Sequence, residues 1–501
     1  MRKVDILIEN ALIVTVDNEN TILTDGSIAI EGTEILAIGD SPSIKSEYQA
    51  AKTINGKNKM VMPGLIDSYH HAGHGMVKGI YRTRLEPGLG AWPSSEIYFR
   101  ATTPEWWHAE GLLTALERIK FGVTTGVTIM GGTPARTDSP IFAEMNAEAV
   151  GEAGTRSILG VGPPDPFLNL GHKNIGTFWE NGRFVDYPFS YEQTLTVAEG
   201  VVKSLRGLHS GRIDVMLAVP YLCGMNPSYM TSYHRYDYTS DEAKHMRDRA
   251  LEIRSLANSL GTLIHTHAAK GTFEWAQANY GDSTLQDILG PDVVFAHANG
   301  LTDCDMDIIR TANAAVTAVP FAAWNTTLGS CPLVKLIERN IRVAISTDGA
   351  APFHISDLFI DLHRGMFLQW YEHHDMSLLQ PGKALRLVTI EAAKVLGIDG
   401  RVGSLEPGKA ADIIMIDLNQ PHLVPFADPA NMIAYYVRGN DVCTTIVNGS
   451  ILMEDRIVIS LDEQEVLDNA RKHIAESFAH VNIDKYLDHT PGYWLGLKED
   501  S

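Results

Sequence analysis

The sequence predicts an α/β chain: one large (β/α)8 barrel, with a small β-sandwich built from both chain ends. Three observations carry this. Strand-like and helix-like runs alternate from Pro63 to about Gly400, as parallel strands joined by crossover helices require. Short β-rich runs occupy the two ends of the chain. Histidines and an acid recur where apolar strands stop, and a barrel is the architecture that gathers such ends at one rim.

Composition narrows the classes. At 501 residues the chain exceeds the usual single-domain size and can bury a full core. Hydrophobic residues make up 45% and charged residues 20%, as in ordinary soluble enzymes. With 41 basic and 61 acidic residues, the formal charge is -20, and no basic run is present to follow a phosphate backbone. Nucleic acid is therefore excluded as a partner. Cys223, Cys304, Cys331 and Cys443 lack ligand spacing, so neither a disulfide framework nor a thiolate zinc site is indicated. The N-terminal run is broken by Asp5, Glu9 and Asn10, which leaves no signal-peptide core. No stretch approaches the ~18 apolar residues that cross a bilayer. A cytoplasmic homo-oligomer acting on a small molecule, with no membrane partner, is expected.

From Val4 to about Ile54, β-rich runs separated by Asp17, Asn18, Asp25 and Gly26 read as a small antiparallel sheet. It cannot bury itself alone. Ala411 to Asp417, Thr444 to Val447 and Ser450 to Met453 supply further strands, the last two joined by Asn448-Gly449, the strongest short hairpin signal. The expected organisation is residues 1–60 and 405–455 in the sandwich, 61–404 in the barrel, and 456–501 as a C-terminal helix and tail. Within the barrel, Thr103-Pro104 starts a helix running to Gly122, and FGVTTGVTIM follows as a strand. Thr239 with Glu242 forms a capping box for a helix that Gly261 closes. LIHTH, VVFAH, AVTAVP and VAIST are later strands.

Long connections around 80–102, 163–191 and 223–238 hold Trp92, Phe167, Trp179, Tyr229, Tyr233, Tyr236 and Tyr238. Loops of this length in a compact domain act as lids or binding loops. Aromatic lids suit a flat organic substrate; packing of loop against barrel or of subunit against subunit is the alternative.

The chemistry centres on Met62 to Gly79, MPGLIDSYHHAGHGMVKG. Residues two apart on a strand share a face, so Tyr69 and His71 look into one cavity and His70 faces outward. His71, His267, His297 and Asp348 each follow a different strand. Neutral imidazoles and one carboxylate are what Zn²⁺ or Fe²⁺ accepts, with a position left for water.

These motifs resemble the amidohydrolase superfamily along nearly the whole chain. MPGLIDSYHH is similar to its first-strand motif, IHTHAAK to its fifth, FAH to its sixth and STDGA to its eighth, while RVGSLEPGKAADIIMID resembles the return into its β-sandwich. The match is nearest to the branch of cytosine, guanine and adenosylhomocysteine deaminases and of s-triazine and urea hydrolases. The resemblance implies one divalent metal per chain, zinc or iron(II), on His71, His267 and Asp348, with Asp348 as general base and His297 holding the water or the oxyanion. Tyr69 stands where the family has its first histidine; it ligates, orients water or marks a weakened site. His70 and His74 lie close enough to compensate, and His265 is a barrel-packing residue.

Lys270 stands where the deaminases carry a glutamate that shuttles protons to the ring nitrogen. This argues for a lysine that binds a carbonyl or carboxylate or steadies an oxyanion, or that forms a rim salt bridge. The expected function is metal-dependent hydrolysis of a non-peptide C–N bond, or displacement of another leaving group, on a small flat nitrogen compound. The alternatives are deamination of an N-heterocycle and a catalytically silent ligand-binding relative.

Overall fold

The computed structural model describes residues 1–79, 97, 100–130, 136–163, 175–224, 239–325, 328–350 and 354–481. Eight parallel strands form the central sheet: Leu65–Asp67, Val123–Ile129, Arg156–Val161, Ile213–Ala218, Ile264–Ala269, Val293–Asn299, Ala315–Ala318 and Arg342–Ile345. Each pairs with the next in chain order. The ends of the sheet approach each other beyond strand eight, where the Asp348 N–H donates to the Tyr69 carbonyl at 3.0 Å. The Thr347 N–H and hydroxyl donate to the Asp67 carboxylate at 3.1 and 2.6 Å. The first and last strand ends are thereby held together, and both carry site residues.

Local signals explain the helices that hold this sheet. Pro104–Phe121 begins at Thr103, whose hydroxyl accepts from the Trp106 N–H, and ends at Gly122 with φ 77°. Its inner face buries Trp106, Trp107 and Ile119 in the main core, and each such side chain contributes on the order of 2 kcal/mol through removal from water. Ser240–Leu260 carries the capping box expected of Thr239 and Glu242. Gly64, which links the outer sheet to strand one, has no room for a side chain, since a Cβ there would lie 2.1 Å from the Thr124 hydroxyl.

The two chain ends share one nine-stranded sheet. Ile413–Asp417 pairs antiparallel with Lys59–Pro63, and Asn448 (φ 52°) and Gly449 (φ 76°) turn the hairpin between Val442–Val447 and Ser450–Glu454. The N-terminal portion departs from the all-antiparallel expectation. Tyr48–Asn55 and Lys59–Pro63 both run parallel to Arg2–Val14. A parallel return needs a crossover, and the helix Ser41–Glu47 supplies it, capped by Asp40 on the Ser43 N–H. Seven residues with proline at the second position gave no periodic helix signal.

Of the aromatic residues in the long connections, Trp179 lies in the hairpin of Ile175–Glu180 and Arg183–Pro188. It stacks on His480 of the helix Glu463–Val481, ring centroids 4.0 Å apart, so it packs loop against helix. Trp92, Phe167, Tyr229, Tyr233, Tyr236 and Tyr238 lie outside the described residues. The four cysteines are free thiols. Among the described residues no helix is long and apolar enough to cross a membrane.

Candidate active site

The strand ends deliver their polar residues to one place. The Tyr69 hydroxyl lies 2.6 Å from His71 Nε2 and 2.7 Å from His267 Nε2. Asp348 Oδ1 is 3.3 Å from His71 Nε2, and Asp348 Oδ2 is 3.8 Å from His297 Nε2. The His267 and His297 rings stack with centroids 5.2 Å apart. Residues from strands one, five, six and eight therefore form one constellation, as their positions in sequence predict.

Hydrogen-bond chemistry fixes the order of protons. His267 Nδ1 is 2.9 Å from the Pro220 carbonyl, an atom that only accepts, so Nδ1 carries the hydrogen. In the neutral ring Nε2 is then a bare lone pair and accepts from the Tyr69 hydroxyl. A phenol has one hydrogen to give. His71 Nε2–H is consequently the donor to the Tyr69 oxygen, with Asp348 Oδ1 beside it.

Burial sets the charges. The His71 imidazole is held well below its ordinary pKa by burial, then by His74 and His267. His297 is pushed down to about 3, again by removal from water and then by His267. Burial lifts the Tyr69 phenol well above its usual value, with the Asp348 charge adding to it. The Asp348 carboxyl is pushed up to about 7, chiefly by burial. The site thus holds neutral imidazoles, a neutral phenol and one poised carboxyl.

The remaining histidines divide as their strand parity predicts. His70 faces the outer shell, 3.5 Å from the Ser356 hydroxyl. His265 lies beneath the site, its ring stacked on Tyr69 at 4.8 Å and 10°. His74 stacks on His71 at 4.9 Å. It fits there because residue 349 is glycine: a Cβ would lie 1.8 Å from His74 Nδ1. Lys270 is at the half-buried end of strand five, its N–H donating to the Asn299 carbonyl of strand six.

Three features were missed in sequence. Tyr221, just past strand four, brings its ring to 5.4 Å from that of His267; an aromatic directly after the Pro220 strand end was the available signal. His297, Ala298 and Asp348 adopt φ of 65°, 56° and 62°, a strained choice for side-chain-bearing residues that clusters at functional sites. Nothing in the sequence marks it. Asp67 is fully buried and spends both oxygens on Thr347, which fixes the residue before Asp348. Asp67→Ala is expected to cost about 2 to 4 kcal/mol in urea unfolding, because the Thr347 N–H and hydroxyl both lose their buried partner. Asp67→Asn, which retains an acceptor and a donor, is expected to cost less than half of that.

Metal chemistry meets a mixed fit. His267 has the ligand tautomer, with its other nitrogen on a backbone carbonyl. The 3.3 Å between His71 and Asp348 suits two ligands of one tetrahedral zinc, which lie about 3.3 Å apart for bonds of about 2.0–2.1 Å. The Tyr69 hydroxyl stands between the two histidine nitrogens, and among the described residues no three His, Cys, Asp or Glu side chains form a ready-made metal group. The donor types suit a divalent cation, and Tyr69 is the residue that must accommodate it.

Known proteins resemble the chain along most of its length. The chain is 29% identical to a 5'-deoxyadenosine deaminase of Methanosarcina mazei over 486 residues, covering 95% of this chain and 99% of the relative. It is 28% identical to a 5-methylthioadenosine/S-adenosylhomocysteine deaminase of Syntrophus aciditrophicus, covering 95% and 98%. Among solved structures, a zinc-bound adenosine deaminase from Xanthomonas campestris superposes with a TM-score of 0.77 at 19% identity, covering 95% of this chain and 99% of that one. A zinc complex of atrazine chlorohydrolase from Arthrobacter aurescens gives 0.74 at 20%, covering 94% and 100%. The profile of the amidohydrolase family matches residues 60–452, and the chain belongs to that family of hydrolases, which act on carbon–nitrogen bonds other than peptide bonds.

Proposed function

We propose that this chain deaminates an adenosine-like nucleoside, with one divalent metal assisting. The observation that carries the reading is the convergence of His71, His267, His297 and Asp348 on one buried point, in a chain similar to nucleoside deaminases along 95% of its length. This favours deamination over displacement of another leaving group.

A divalent metal, zinc as in the solved relatives, would be held by His71, His267 and Asp348, with Tyr69 beside it, and would supply Lewis acidity that eases loss of a water proton near neutral pH. The chain's own residues do the rest. Asp348 takes the proton as water adds to the amine-bearing carbon, and returns it to the departing amine, so that the C–N bond breaks with release of ammonia. Neutral His297 donates one N–H to the incoming oxygen. Lys270 presents an ammonium N–H to the ring nitrogen where negative charge gathers; it gives up that proton and regains one from solvent, while the remaining proton of the added oxygen leaves to solvent. Lysine thus replaces a carboxyl acid with a cationic one.

The test is ammonia release from adenosine, 5'-deoxyadenosine and methylthioadenosine by the full chain with zinc supplied. The expected result is a kcat/KM above about 10⁴ M⁻¹s⁻¹ for at least one nucleoside, the lower end of the usual enzyme range. A second reading, a ligand-binding relative without turnover, draws on the Tyr69 hydroxyl between two ligand-type nitrogens. Tight nucleoside binding with no ammonia release would select it.

A further inference from the structure

We infer that Tyr69 is a latch on the metal site: its hydroxyl takes up the point shared by His71 and His267, and a metal binds this chain only by displacing it. The inference rests on the metal reading above. Its basis is the pair of distances at the hydroxyl, 2.6 and 2.7 Å to the two Nε2 atoms. Fellow ligands of one tetrahedral zinc keep about 3.3 Å from each other, so this oxygen is too close to both nitrogens to be a co-ligand where it stands. Its separations are those of hydrogen bonds.

The surroundings hold it there. The Tyr69 side chain is fully buried, its ring lies flat against His265, and its carbonyl is tied to the Asp348 N–H at 3.0 Å. The protons are also placed against a metal. With Tyr69 donating to His267, His71 keeps its hydrogen on Nε2, the atom that a metal needs bare. Metal entry must therefore break both hydrogen bonds, move the hydroxyl and shift the His71 proton to its other nitrogen. A histidine at position 69, as in the family motif, would impose none of these costs.

The latch is tested on the full chain stripped of metal, by zinc titration against a chromophoric chelator and by thermal unfolding. Tyr69→Phe keeps the ring on His265 and removes only the hydroxyl. It is expected to bind zinc roughly thirtyfold tighter than the parent, the equivalent of two ordinary hydrogen bonds. Without zinc it should melt at a lower temperature than the parent, and zinc should raise its midpoint more. Tyr69→His, a second variant that keeps a polar group, should also gain affinity, and adding His267→Ala to either should abolish the gain.

Weaker zinc binding in Tyr69→Phe would overturn the latch and make the hydroxyl a ligand. Unchanged binding would overturn it as well. Should neither the parent nor either variant bind zinc, the latch and the metal reading fall together. Tighter binding in Tyr69→Phe without nucleoside turnover in any form would uphold the latch and remove the deaminase reading alone.

Discussion

Asp348→Asn is expected to lower kcat for the identified substrate by about 10³ or more, within the range that a positioned general base supplies. The variant is chosen for its backbone. Asp348 sits at φ 62°, where asparagine is tolerated and alanine is strained, and the Asp348 N–H bond to the Tyr69 carbonyl does not depend on the side chain. An amide preserves the size of the group and its oxygen toward the Gly349 N–H, which donates to Oδ1 at 2.6 Å. It cannot take a proton from water. Fold and substrate binding should survive while turnover does not, so KM is expected to stay within about threefold of the parent as kcat collapses. Steady-state kinetics at saturating zinc, with bound metal counted because Asp348 is also a proposed ligand, and a far-ultraviolet spectrum check this; a kcat within tenfold of the parent in the metal-loaded variant would place the base elsewhere.

The same residue shows what sequence conveys and what it withholds. An apolar run that stops in a histidine or acid is a local pattern, so His71, His267, His297 and Asp348 were legible one by one. Their convergence follows from the barrel, which alternation of strand and helix reveals. Strand parity also sorted His70 from Tyr69 and His71. What sequence does not carry is distance across the rim. That the Tyr69 hydroxyl reaches both His71 and His267 depends on a phenol being longer than an imidazole and on the ring's support by His265. Asp67 read as the end of an apolar strand, and its hold on Thr347 spans 280 positions. The left-handed backbone at His297 and Asp348 has no glycine to announce it.

The outer sheet was legible for a different reason, since strands that cannot bury themselves demand partners, and its architecture leads to the second prediction. Cutting the chain after Gly403 is expected to give insoluble protein. The cut removes Ile413–Asp417, whose pairing flanks Lys59–Pro63, the strand that runs through Gly64 directly into Leu65–Asp67 and the Tyr69–His71 motif. It removes the buried strand Val442–Val447, whose Thr445 hydroxyl donates to the Ile119 carbonyl at the end of a barrel helix. It also removes Asp412, the buried partner of Arg156 at 3.1 Å. Leaving one member of a buried ion pair alone costs about 3 to 5 kcal/mol, a large share of a total stability of roughly 5 to 15 kcal/mol, before any lost apolar burial is added. Lys59–Pro63 would at the same time become a bare apolar edge, the usual start of edge-to-edge aggregation. The measurement is the soluble fraction after expression, followed by urea unfolding of whatever remains in solution. A truncated chain that stays soluble and unfolds in one cooperative step would show that the barrel stands without its outer sheet.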